Sequence, residues 1–210
     1  MTAAVDARRA LVRRGVVLAW FTIVWNCIEG VIGIASGIAA GSIALVGFGI
    51  DSYVEVFAGS VIVWRLGRER HGQQLSEAAE RRAVRLIAIT FLVLAAGVGV
   101  ESVRKLIVGA EPDESFLGIA LAVVSLVVMP VLARAKRRVG EQLGSRAVTA
   151  DATETTLCVY LSAILLVGLV ANAAFGWWWA DPLAGLGIVY VAGREGLEHW
   201  GSDELDECCT

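Results

Sequence analysis

Two carboxylates stand one helical turn apart in an otherwise apolar run: Asp51 and Glu55, within GSIALVGFGIDSYVEVF at residues 41–57. A second polar set, Asp151, Glu154 and Cys158, falls in GSRAVTADATETTLC at residues 144–158. Donors spaced by three, four or seven residues share one face of a helix. Carboxylates alone suit hard divalent cations, whereas carboxylates with a thiolate suit Zn²⁺ or the softer Cd²⁺. In lipid an unpartnered carboxylate costs ~3 kcal/mol or more, so it persists where it faces a bundle interior, a cation or an aqueous path.

The elements that must hold these groups are membrane helices. Hydrophobic residues make up 57% of the 210 and charged residues 19%, with a mean hydropathy of +0.68. Soluble domains are nearer 45–50% apolar and ~25% charged. Apolar stretches of about 20 residues predict six spans, roughly 15–39, 42–64, 83–103, 116–135, 147–175 and 178–193. The fold class is therefore an all-α membrane protein: a cytoplasmic N-terminus at 1–14, a six-helix transmembrane domain at 15–193, and a short cytoplasmic tail at 194–210. The first apolar stretch is too long for a signal peptide and has no small-residue cleavage site, so it reads as a retained span. Of the 18 Lys and Arg, all but Arg104 and Lys105 lie on one side of this arrangement, which puts both termini in the cytoplasm of a multi-pass cell-membrane protein. Trp177–Trp179 belong at the outer interface. The basic runs RLGRER, ERRAVR and ARAKRR read as orientation signals and lipid-headgroup contacts, not as nucleic-acid sites. No Lys or Arg falls inside a span near Asp51 and Glu55.

The two polar sets are in register. Gly41-Ser42 opens the second span and Gly144-Ser145 the fifth; Asp51 and Glu154 follow nine residues after their Ser, Glu55 and Cys158 thirteen after. Nine residues of helix rise ~14 Å, about half of a ~30 Å hydrocarbon layer. The second span runs inward and the fifth outward, as a 3+3 inverted repeat requires, so both sets reach the midplane from opposite sides. Sliding one helix by a turn gives an alternative in which Glu55 meets Asp151 and Cys158 is left out, an all-carboxylate site for Mn²⁺ or Fe²⁺. The repeat favours Asp51, Glu55, Glu154 and Cys158.

Other residues read as structural. Glu29, with Asn26, is a helix–helix hydrogen bond or a further cation contact. Asp181, just before Pro182, caps the last span. Gly30, Gly33, Gly37 and Gly41 permit close helix packing. His71 and His199 lie outside the spans. Cys27, Cys158, Cys208 and Cys209 form no disulfide framework, and Cys208-Cys209 stand in an acidic tail. No nucleophile–base pair or nucleotide loop is present, so neither an enzyme nor a resident cofactor is expected.

The motifs SIALVGFGIDSYVE, GSRAVTADATETTLC and ADPLAGLGI resemble those of the second, fifth and sixth spans of the cation diffusion facilitator family. The resemblance implies six spans, a divalent-metal/proton antiporter and a homodimer. It puts paired metal ligands at Asp51 and Glu55 and at Glu154 and Cys158, with the family's ADA element at 150–152. This sequence departs from the pattern in having no His at the site, Glu at 55 and Cys at 158. It also shows no soluble domain after the sixth span, which points to a short branch of the family. The expected function is efflux of Zn²⁺ in exchange for protons, with Cd²⁺, Mn²⁺ and Fe²⁺ as other cargoes. Ligands must shed protons to bind metal, which couples the two ions. The alternatives are a non-transporting membrane sensor or assembly subunit, and a proton-coupled exporter of organic cations.

Overall fold

The computed structural model describes residues 2–70 and 77–207. Within these described residues six helices follow one another: α1 (Thr2–Ala40), α2 (Ile43–Arg70), α3 (Glu77–Val108), α4 (Phe116–Leu143), α5 (Arg146–Phe175) and α6 (Ala180–Glu207). Four of them contain stretches long and apolar enough to cross a membrane: Ala7–Ala40, Ile43–Arg68, Phe116–Leu143 and Asp151–Phe175. α3 opens on the charged EAAERRAVR, and α6 carries Asp181, Arg194, Glu195 and Glu198, which dilutes both.

Glycine and serine punctuate the turns. Gly41, Gly109, Gly144 and Gly176 all have φ of +63° to +70°, a left-handed conformation that ends a helix without strain. Ser42 Oγ accepts from the Leu45 N–H at 3.1 Å, and Ser145 Oγ accepts from the Val148 N–H at 3.5 Å. The two Gly-Ser pairs are thus the same device, a left-handed stop followed by an N-cap. α2 and α5 start in step, so the sequence offsets from Ser42 and Ser145 are real distances along two helices.

α1 lies along α2, α4 along α5 and α3 along α6; α2 also touches α3, α5 and α6, and α1 touches α4. The α1–α2 contact is backbone on backbone. A Cβ added at Gly33 would come within 3.0 Å of Gly49 Cα, and one at Gly49 within 2.7 Å of the Ile34 nitrogen. Gly30, Gly33 and Gly37 are therefore packing residues, as expected, and their stripe is occupied by α2. Gly41 instead makes the turn.

Among the described residues, polar groups are buried beside an apolar core while the outer face is apolar. Thr22, Asn26, Glu29, Ser52, Ser102, Ser125, Thr155 and Ser162 are all fully buried, whereas Trp20, Val24, Ile28 and Val31 are about half exposed along α1. Water would not tolerate that outer face, and lipid requires it. This is a multi-pass membrane protein. At the end of the bundle that carries Arg104 and Lys105, opposite the other arginines described, Trp177 and Trp179 stack at 5.1 Å and remain exposed, as indoles at a membrane–water interface do.

That end is tied together by Asp181. Its carboxylate accepts from the Ser42 hydroxyl and, at 2.9 Å, from the Ile43 N–H, while Lys105 Nζ donates to the Gly41 carbonyl. Asp181 is a cap, but of α2 rather than of its own helix. Pro182 follows it directly, and the open N–H groups within reach are those of the neighbouring helix.

Candidate metal site

The register set by the two caps brings the carboxylates together. Asp51 and Glu55 from α2 and Glu154 from α5 line one narrow cavity with room for a water-sized occupant. Val54, Phe91, Leu157, Leu161, Val191 and Ala192 supply its apolar wall. Asp51 and Glu55 are 3% and 4% exposed, so both are effectively out of water. Neither Glu55 oxygen has a hydrogen-bond partner. Asn26 and Thr155 are among its polar neighbours, yet neither is in bonding geometry. An ionised carboxylate in that position is costly until a cation or proton reaches it.

Cys158 shares the interior but not the wall. It is 1% exposed and packed with Leu161, Leu165 and Phe48, within electrostatic range of Glu55, Glu29 and Asp51. Among the described residues no three acidic, thiol or imidazole side chains are drawn close enough to hold a metal ion together. The carboxylates converge on a cavity, then, without being gathered into a finished coordination shell.

Asp151 is engaged elsewhere. Lys136 Nζ from α4 lies 2.9 Å from Asp151 Oδ2, with the two side chains 1% and 5% exposed. The same ammonium donates to Thr155 Oγ1 at 2.9 Å, and Thr155 Oγ1 donates to the Asp151 carbonyl at 3.0 Å. This corrects the expectation that no cation stands near the carboxylates. Lys136 belongs to the run ARAKRR, but only its neighbours Arg134, Arg137 and Arg138 face outward. The missed signal was periodicity: Ser125, Met129, Leu132, Lys136, Val139 and Leu143 form one buried stripe of α4.

A second missed residue is Glu195. The sixth span was expected to end at 193, but α6 continues, and Glu195 joins Asp51, Glu55 and Glu154 on the cavity wall. It continues the buried line of Ile188 and Ala192 at four- and three-residue steps. Arg194 and Glu198 pair with each other at 2.6 Å on the exposed side. Glu29 makes the anticipated helix–helix bond: Ser52 Oγ donates to its Oε2 at 3.2 Å. His71, Cys208 and Cys209 lie outside the described residues, and the side chain of His199 is not described.

These observations meet a matching set of relatives. The profile of the cation efflux transmembrane domain matches residues 19–199. An uncharacterized transporter of Synechocystis sp. is 29% identical over 154 residues, 70% of this chain and 49% of its own. The cation-efflux pump FieF of Shewanella oneidensis is 27% identical over 131 residues, 62% of this chain and 42% of its own. The magnetosome protein MamB of Paramagnetospirillum magneticum is 30% identical over 185 residues, 83% of this chain and 59% of its own. The chain spans about half the length of these curated relatives. A match over most of the chain, on helices that carry buried carboxylates, has one reading: the chain belongs to the cation efflux family, a family of membrane transporters rather than enzymes.

Proposed function

We propose that this protein carries a divalent metal ion across the membrane through the cavity walled by Asp51, Glu55 and Glu154, with Zn²⁺ as its cargo and protons moving the other way. The observation that carries the reading is Glu55, a buried carboxylate with two unpartnered oxygens on a cavity wall shared with three further carboxylates. Six spans with both termini in the cytoplasm fit the distribution of Arg and Lys. A 3+3 inverted repeat is supported by the matched Gly-Ser caps and by the pairing of α1 with α4, α2 with α5 and α3 with α6. Alternating access about such a repeat would open the cavity to each side in turn. Zn²⁺ is favoured over harder ions by Cys158, a buried thiol in the electrostatic neighbourhood of Glu55 and Asp51, as a ligand beside them. Homodimerisation, which the family resemblance implies, would need a surface other than the glycine stripe of α1.

A second reading is supported by Glu195. With that residue on the wall and Cys158 off it, the donors are all carboxylates, which suits Mn²⁺ or Fe²⁺. The water-sized cavity argues against an organic cation.

The test is flux of Zn²⁺, Cd²⁺ and Mn²⁺ in liposomes across a proton gradient, with Asp51→Asn and Cys158→Ser beside the wild type. Zn²⁺ flux lost in Asp51→Asn and reduced in Cys158→Ser supports the main reading. Mn²⁺ flux untouched by Cys158→Ser supports the second. Folded protein with no saturable flux of any of the three removes transport and leaves a membrane sensor or assembly subunit.

A further inference from the structure

Four carboxylates, Asp51, Glu55, Glu154 and Glu195, line the cavity, whereas Asp151 stands one turn before Glu154 on the same helix yet is not on the wall. It already has a cation. The Lys136 ammonium lies 2.9 Å from Asp151 Oδ2 as an ion pair outside hydrogen-bond geometry and donates to Thr155 Oγ1, so it is held inside the bundle by both. Glu55 also lies within Coulombic range of both Lys136 and Asp151. The pair is thus adjacent to the cavity and turned away from it.

We propose that Lys136 is a specificity-determining residue that holds Asp151 out of the ligand set, so that an ion in the cavity meets the carboxylates on its wall but not Asp151. The inference rests on the metal-transport reading above. For Asp151 to swing to the cavity wall as a ligand, Oδ2 would have to leave the buried ammonium, which would keep Thr155 but lose its counter-charge, and that is strongly unfavourable. Withholding one hard oxygen donor keeps the coordination number low. Four-coordinate Zn²⁺ tolerates that, whereas Mn²⁺, which favours six oxygen donors, does not. Lys136 therefore biases the site against hard, high-coordination ions without touching the transported ion.

The experiment is competition between Mn²⁺ and Zn²⁺ for the purified full chain in detergent, read by equilibrium dialysis and metal analysis. The variants are Lys136→Met and the double variant Lys136→Met/Asp151→Asn. Lys136→Met frees Asp151 and is expected to raise Mn²⁺ affinity relative to Zn²⁺ about tenfold. The double variant is expected to return the ratio to the wild-type value with Zn²⁺ binding intact. A folded Lys136→Met protein with an unchanged ratio overturns the proposal. If Lys136→Met does not fold, the double variant decides. Wild-type selectivity there supports the inference, because Asp151 is then dispensable. Loss of Zn²⁺ binding overturns it by making Asp151 a ligand, and failure to fold overturns it by making the pair structural. A wild type that binds Zn²⁺ but moves none across liposomes removes the transport reading and leaves this inference standing; one that binds neither metal overturns both.

Discussion

Glu55 and Lys136 show how one side chain's partners decide its role. Both are buried and charged, but Lys136 has Asp151 and Thr155, whereas Glu55 has no bonded partner. Neutralising Glu55 therefore removes no hydrogen bond. Glu55→Gln is expected to leave the thermal stability of metal-free protein within about 1 kcal/mol of wild type, while Zn²⁺ affinity falls at least about tenfold. Differential scanning fluorimetry in detergent and a Zn²⁺ titration check the two halves. Destabilisation by about 3 kcal/mol would show that Glu55 holds a structural bond and is not waiting for an ion. The sequence displayed Glu55 openly, because a carboxylate in an apolar run has no camouflage. Lys136 was hidden by its neighbours: in ARAKRR four cations in five residues look like one solvated face. At about 100° per residue they cannot all point one way. The two readings part at position 136, which falls in line with Met129 and Leu132.

At the scale of helices, the legible features were those written in backbone chemistry. Gly-Ser at 41–42 and 144–145 marked two equivalent helix starts, and the offsets counted from them put Asp51, Glu55 and Glu154 on one cavity. The partner of each helix was less legible. The glycines of α1 announced a close approach without saying to what, and the answer is Gly49 and Val46 of α2. This yields a paired prediction. Gly49→Ala drives a Cβ to within 2.7 Å of the Ile34 nitrogen, and backbone cannot step aside as a flexible side chain can. Its expected cost is about 1–3 kcal/mol, with weakened retention of metal because α2 carries Asp51 and Glu55. Gly97→Ala in α3 meets nothing within 4 Å and is expected to be neutral, or to stabilise by up to about 1 kcal/mol through helix propensity. Thermal unfolding of the two variants in one detergent compares them. Equal effects would mean that the α1–α2 contact is looser than its geometry indicates. The inward face of α6 beyond the expected span was hidden for a related reason. Arg194 and Glu198 resemble the start of a solvated tail, yet they occupy one exposed face of a helix whose other face carries Glu195 inward.

Over the described residues, carboxylates and hydroxyls are buried beside the apolar core while valine, isoleucine and tryptophan line the outer face. A bilayer gives such a chamber no water beyond what the protein admits, so under the proposed function metal ions and protons compete for the same oxygens. The sign of the pH effect follows. Only the deprotonated ligand binds metal, so lowering the pH fills the site with protons and weakens metal binding; raising it does the reverse. For each proton displaced per ion, apparent affinity changes about tenfold per pH unit over the range in which that ligand titrates. Zn²⁺ titrations between about pH 6 and 8 should therefore show affinity rising with pH. In weakly buffered solution, Zn²⁺ added to the protein should release protons in the number given by that slope. The same measurement on Glu55→Gln separates the ligands, because removal of one exchanging carboxylate lowers the slope as well as the affinity. A flat pH profile, with Zn²⁺ bound and no protons released, would mean that the ion enters a site already ionised. The metal gradient would then have nothing at Asp51, Glu55 or Glu154 through which to be coupled to protons.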